Sequence, residues 1–279
     1  MRPNSTTPLR RYIVHDRNRV EGWLSRIDAE ILYTIANTQA EKHLRGAVVE
    51  IGLHHGKLFI ALCLALQDAE QAYGIDLFDN QKLNVDSSGS GNRSILESNL
   101  STFGVDSSKV VLDARSSEEV KAADVQAAVG KARIFSVDGG HWLEIVENDL
   151  RLAEECIADH GVIALDDFHR PEWPDVSAGY LTWYGNRTKP IVPFAIGFNK
   201  LFLCQETWVE FYQRSLQDNP LLVHFLTKRY KFQGQLVPVY NALVLPEAPA
   251  LQRFHGFLKF HNTDLYLRLR LHALRNRLR

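Results

Sequence analysis

Cysteine is scarce in this 279-residue chain: Cys63, Cys156 and Cys204 are the only three, far apart and without CxxC spacing. This excludes a disulfide framework and a cysteine-rich zinc site, and leaves three reduced core thiols as the reading. An excess of one charge is missing too. The 32 Lys and Arg oppose 33 Asp and Glu, a formal net charge of -1, which excludes a generally basic nucleic-acid binder. Long apolar runs are absent: stretches such as residues 58–66 fall far short of the ~20 residues of a membrane-spanning helix. Residues 1–11 carry Arg2, Arg10 and Arg11, but no apolar core of a secretory signal follows them, so a cytoplasmic protein is expected. No internal repeat is visible. What the chain does have is 45% hydrophobic and 23% charged residues, enough for a folded core.

From residue 47 onwards short apolar runs alternate with segments of helical period. The expected order is strand (AVVEIG), helix (57–67), strand (QAYGIDLF), polar loop, helix (94–103), strand (KVVLDA), helix (117–129), strand (ARIFSVDG), helix (145–158) and strand (GVIALDD). Such alternation predicts βαβ units and a doubly wound α/β domain whose mostly parallel sheet is covered on both faces. Two further runs, IVPFAIGF and KLFLC, are expected to add an antiparallel edge. Ahead of the sheet, Trp23, Leu24, Ile27, Ile31, Leu32 and Ile35 recur at helical spacing and predict an N-terminal helical cap. Residues 80–93 (NQKLNVDSSGSGNR) form a polar loop at a strand's carboxyl end, where α/β proteins place ligand loops. The chain thus divides into a helical segment (1–45), the α/β domain (46–204) and a C-terminal extension (205–279). That extension holds a helix at 207–216, a strand-like KFQGQLVPVYNALVL and the tail LYLRLRLHALRNRLR. The tail's arginines make a solvated face, or a contact with an acidic membrane surface or nucleic acid.

The first strand ends in Glu50-Ile-Gly52-Leu-His54-His-Gly56, directly before a helix. Glycines here let backbone approach a ligand at the helix N-terminus. His54 breaks the GxGxxG pattern and no Gly-Lys-Ser/Thr follows, so a dinucleotide or nucleoside triphosphate is disfavoured. Asp76, at the end of the second strand, is placed to accept hydrogen bonds from ribose hydroxyls. Together these residues point to a nucleotide-like cofactor, although a turn glycine and a capping acid would look the same one at a time.

Two other strand ends are unusually polar: Ser136-Val137-Asp138-Gly139-Gly140-His141, and Leu165-Asp166-Asp167-Phe168-His169. On neighbouring strands they converge beside the cofactor crevice. Three carboxylates that close repel one another unless protonated or neutralised by a cation. Oxygen donors favour Mg2+, with Ca2+ or Mn2+ as alternatives. The plain structural reading is that Asp166 caps a turn, Asp167 is solvated and His141 starts a helix.

ExGxxxG at residues 50–56, Asp76, FSVDGGH and IALDDFHRPEWP together resemble the class I S-adenosylmethionine-dependent methyltransferases, and among them the metal-dependent macrocin and mycinamicin-type sugar O-methyltransferases. The resemblance covers residues 46–204. It implies a seven-stranded Rossmann-like sheet with a reversed final hairpin. It also implies Glu50, Gly52 and Gly56 at the methionine end of S-adenosylmethionine, Asp76 at its ribose and Ser116 near its adenine. Arg115 stands where relatives carry an acid. The resemblance further implies Asp138, Asp166 and Asp167 as ligands of Mg2+ or another hard divalent cation, with His141 as base and His169 as its substitute. The acceptor would be a small hydroxylated molecule, a sugar or glycosylated natural product, with Trp173, Tyr180, Trp183 and Tyr184 as its aromatic wall or else as core. A homo-oligomer is compatible with this reading. Two other readings stay open: a non-haem iron oxygenase using His141, His169 and one Asp, and a non-catalytic binding module.

Overall fold

A computed structural model of the chain describes residues 7–241. The arginine-rich tail, and the end of the strand-like run before it, lie outside the described residues. The chain opens with α1 (Pro8–Arg11) and a run of tight turns, then α2 (Arg26–Glu41). Ser25 caps α2 by accepting from the Asp28 N–H at 3.0 Å. Ile27, Ile31 and Ile35 pack into the core formed with Val48, Ile134 and Phe202 of the sheet. Trp23, expected on this helix, precedes it and is 71% exposed.

The α/β domain follows the expected order: β1 (Ala47–Ile51), α3 (Lys57–Leu64), β2 (Ala72–Ile75), α4 (Arg93–Thr102), β3 (Val110–Asp113), α5 (Ala122–Val129), β4 (Ala132–Val137), α6 (Leu143–Cys156) and β5 (Ile157–Leu165). Then come α7 (Pro174–Asn186), β6 (Ile191–Ile196), β7 (Leu201–Gln205), α8 (Val209–Gln217), β8 (Leu226–Phe232) and β9 (Gln235–Tyr240). Strands β1 to β5 are parallel, and β7 reverses against β5 as the two late apolar runs predicted. The three cysteines are free and buried. Among the described residues no helix is long and apolar enough to cross a membrane.

Among the described residues the sheet has nine strands, not seven, in the order β3-β2-β1-β4-β5-β7-β6-β9-β8. The extra pair is a hairpin from the C-terminal extension, joined to β6 through Ile196 and Val239. Gln233 and Gly234 both have positive φ (50° and 82°), which suits a two-residue turn whose twist matches the strands. That turn lies inside what reads by eye as one long strand-like run.

Between β1 and β4 the chain changes direction across the sheet, and an open α/β sheet binds ligands at that crevice. The two strand ends are tied closely: the Asp138 N–H donates to the Ile51 carbonyl at 3.0 Å. Gly52 sits at φ +82°, and a Cβ there would lie 1.7 Å from the Asp138 carbonyl oxygen. No other residue type fits that approach.

Candidate active site

A cavity of about 640 Å³ opens at the carboxyl ends of β1, β2, β4 and β5, a size suited to a cofactor or drug-sized ligand. Gly52, Asp76, Ser116, Asp138, Asp166 and Asp167 all line it, and His141 faces them. A smaller side pocket, lined by Glu50, Gly52, His54 and Asp138, adjoins it. Glu50 is buried, and its Oε2 has no hydrogen-bond partner. Burial pushes its carboxyl well above the ordinary carboxylate range. An orphaned acid in a pocket beside a glycine turn fits the ammonium group of a bound amino acid moiety.

Gly56, expected at the methionine end of the cofactor, makes a close packing contact. It lines neither pocket, and a Cβ on it would lie 2.4 Å from Leu96 Cδ1, so its role is to seat α4 against the start of α3. Asp76 serves the glycine turn directly. Its Oδ2 accepts from the Leu53 and His54 N–H groups at 2.6 and 2.8 Å, and its Oδ1 from the Phe78 N–H at 2.6 Å. It thus shapes the turn while one side remains open to the cavity. Arg115 forms a salt bridge to Asp113 at 2.6 Å.

The three aspartates are not equivalent. Side-chain exposure is 25% for Asp138, 16% for Asp167 and 6% for Asp166, so of these three cavity-lining carboxylates Asp166 is the least open to solvent. Asp167 has φ +54°, an uncommon backbone state for a non-glycine residue. Its N–H donates to Asp166 Oδ1 at 2.9 Å, a local bond that holds this turn. His169, at φ +66°, is swung away by the same turn and packs against Phe168 and Phe232 outside the cavity wall. A site of His141, His169 and one Asp is therefore not assembled, which removes the geometric basis of the oxygenase reading and of His169 as a base. His169→Ala should leave kcat within about twofold of wild type; steady-state rates would check this, and a larger loss would return His169 to the site.

His141 is the hub of the cluster. Its Nε2 lies 2.9 Å from Asp167 Oδ2 and its Nδ1 2.8 Å from Asp86 Oδ2. Burial alone would lower the His141 pKa, but the hydrogen bonds to Asp167 and Asp86 outweigh it and hold the imidazole above its ordinary value. Asp86 comes from the 80–93 loop and also accepts from the His141 backbone N–H at 2.9 Å. Trp173 stacks on the His141 ring with centroids 4.3 Å apart and planes at 17°.

Of the expected aromatic wall only Trp173 lines the cavity; Tyr180 and Trp183 are fully buried core residues, and Tyr184 meets Arg187 and the β8–β9 turn. Trp142 lines the cavity instead, its ring so close to Gly140 that a Cβ there would approach it to 2.3 Å. Asn199 and Lys200, from the turn between β6 and β7, also escape a sequence reading. The Asn199 amide donates to Asp166 at 2.8 Å and to Asp167 at 2.7 Å. The GGH segment hinted at Trp142, but nothing local marked Asp86, Asn199 or Lys200.

A methyltransferase-domain family model matches residues 49–168. This stretch runs from within β1 to just past β5 and holds all but one of the cavity residues discussed by motif, and it bears out the resemblance to methyltransferases. No curated protein matches the chain by sequence. Among solved structures, the O-methyltransferase NovP is similar with a TM-score of 0.51 at 12% identity, over 63% of this chain and 79% of that one. A TDP-rhamnose 3'-O-methyltransferase of calicheamicin biosynthesis aligns with a TM-score of 0.46 at 14% identity, over 63% and 79%. An O-methyltransferase from Bacillus cereus, in complex with S-adenosylhomocysteine (SAH), aligns with a TM-score of 0.48 at 10% identity, over 73% and 92%. The fold is the one NovP has, and residues 49–168 match the methyltransferase-domain model.

Proposed function

We propose that the chain is an S-adenosylmethionine-dependent O-methyltransferase that acts on a hydroxyl of a small acceptor, a sugar or glycosylated natural product, with a hard divalent cation such as Mg2+. The observation that carries this reading is that Asp138, His141 and Asp167 offer ligand atoms within 4.8 Å of one another, on the wall of the cavity that Gly52, Asp76 and Ser116 also line.

The residues fit both groups. The orphaned Glu50 carboxyl, the Gly52 turn, Ser116 and the Trp142 ring would hold the cofactor from its ammonium end to its adenine. Two carboxylates at the strand ends, Asp138 and Asp167, have the oxygen chemistry that Mg2+ takes. When bound, the cofactor supplies an activated methyl group and the cation lowers the pKa of the acceptor hydroxyl. The protein's own task is alignment and proton removal. With Nδ1–H donated to Asp86, and with Asp167 turned to the cation it would hold, Nε2 would be free to take the acceptor's proton. Asp86 and Asp167 then stabilise the imidazolium that results, as a buttressing carboxylate does in hydrolase triads. Trp173 and the exposed Trp23 at the rim offer flat faces of the kind that suit a sugar ring.

Calorimetric titration of SAH into the purified chain, with and without Mg2+, tests the reading. Saturable one-to-one binding is expected, followed by methylation of hydroxylated sugars that chelation abolishes and Mg2+ restores. Absence of SAH binding in both conditions would end the methyltransferase reading; retained activity after chelation would end its metal part.

A further inference from the structure

The carboxylate cluster already contains a cation of its own. Lys200 is 2% exposed, and its Nζ lies 2.5 Å from Asp166 Oδ2 and 3.9 Å from Asp138 Oδ2. Asp166 has no oxygen to spare: Oδ1 accepts from the Asn199 amide and the Asp167 N–H, while Oδ2 faces the ammonium. The turn that delivers Lys200 is itself pinned, because Asp28 of α2 accepts from the Phe198 and Asn199 N–H groups at 3.0 and 3.1 Å. A second tie, from the Gly197 N–H to the Lys200 carbonyl at 2.8 Å, closes the turn.

We infer that Lys200 is a positioning residue that takes Asp166 out of the ligand set, so that the carboxylates holding a divalent cation at this site are Asp138 and Asp167. An ammonium on a pinned, buried side chain competes for Asp166 with any free dication, and it does so at every cation concentration. The site is thereby weaker and more readily exchanged than three free aspartates would make it. Removing the ammonium would leave Asp166 buried without a counter-charge, and a dication would then gain a third carboxylate. The inference rests on the proposed metal-assisted methyl transfer only for the location of the cation.

Mn2+ binding to the full chain, followed by electron paramagnetic resonance, tests it without reference to turnover. Asp138→Asn and Asp167→Asn should each weaken Mn2+ binding more than about tenfold, Asp166→Asn less than about threefold, and Lys200→Met should tighten it about tenfold or more. Circular dichroism reports whether Lys200→Met folds; if it does not, the Asp166→Asn result still decides. A loss in Asp166→Asn equal to that in Asp138→Asn overturns the inference, and so does a folded Lys200→Met variant with unchanged or weaker binding. Mn2+ uptake by Lys200→Met but not by wild type supports it in its strongest form; uptake by neither overturns it. SAH titration of the same variants separates the two readings, since failure to bind SAH counts against the methyltransferase and leaves the Mn2+ result standing.

Discussion

Asp138→Ala is expected to lower kcat by roughly 100-fold to 1000-fold, the loss that follows when several kcal/mol of charge stabilisation are withdrawn from the reacting centre. Asp138 is the most exposed of the three aspartates and the one that lines both the main cavity and the side pocket. Its carboxyl is pushed well above the ordinary range by burial and by Asp166 beside it, with Lys200 opposing. The cofactor contacts come from Glu50, the glycine turn and Ser116, so SAH affinity should change little. Initial rates at saturating S-adenosylmethionine, paired with SAH calorimetry, would check both halves. A variant with near wild-type kcat would remove Asp138 from the chemistry, whereas one that loses SAH binding would show that it shapes the cofactor pocket instead.

The second large effect concerns stability. Arg133, the second residue of β4, is fully buried and donates to Glu70 at 3.0 Å, to Gln39 at 2.8 Å and to the Ala65 carbonyl at 2.7 Å. Gln39 belongs to α2, so this network ties the N-terminal helix to the sheet. Breaking a buried ion pair by removing one partner costs about 3–5 kcal/mol because the other charge is stranded. At roughly 2–4 °C per kcal/mol for a domain of this size, Arg133→Ala should lower Tm by about 6–20 °C. Replacing both partners by apolar residues, Arg133→Met with Glu70→Leu, should recover most of that loss. Thermal unfolding of the single and double variants is the measurement; a single variant that melts within about 2 °C of wild type would show that water reaches Glu70.

Much of the fold was legible because its signals are local. Alternating runs of period two and 3.6 identify β1 to β5 and their helices, and a βαβ order with right-handed crossovers leaves few topologies. The β8–β9 hairpin was missed as a hairpin because its turn, Gln233-Gly234, lacks the Asn-Gly or Asp-Gly signature. Arg133 shows the limit from another side. A charged residue inside an apolar strand says nothing of its own burial, which depends on Glu70, 63 residues away.

The candidate site divides in the same manner. Sequence alone was enough to put Glu50, Gly52, Asp76, Ser116, Asp138, Asp166 and Asp167 at strand ends on one edge of the sheet, since a strand's carboxyl end is where the apolar run stops. Gly56 lies on the same turn, yet its contact with Leu96 across two helices makes it a packing residue. How open each aspartate is, and which histidine faces the cavity, depended on the backbone turn at Asp167 and His169. Asp86 reaches His141 across 55 residues and Asn199 reaches Asp166 across 33. Contacts of that separation carry no period in the chain; they exist only once helices and sheet have packed and brought two loops and a hairpin turn to the same strand ends. Tertiary structure therefore decided the charge balance of the site, four carboxylates against one imidazole and one ammonium, where the strand-end motifs alone displayed only the acids and the histidines.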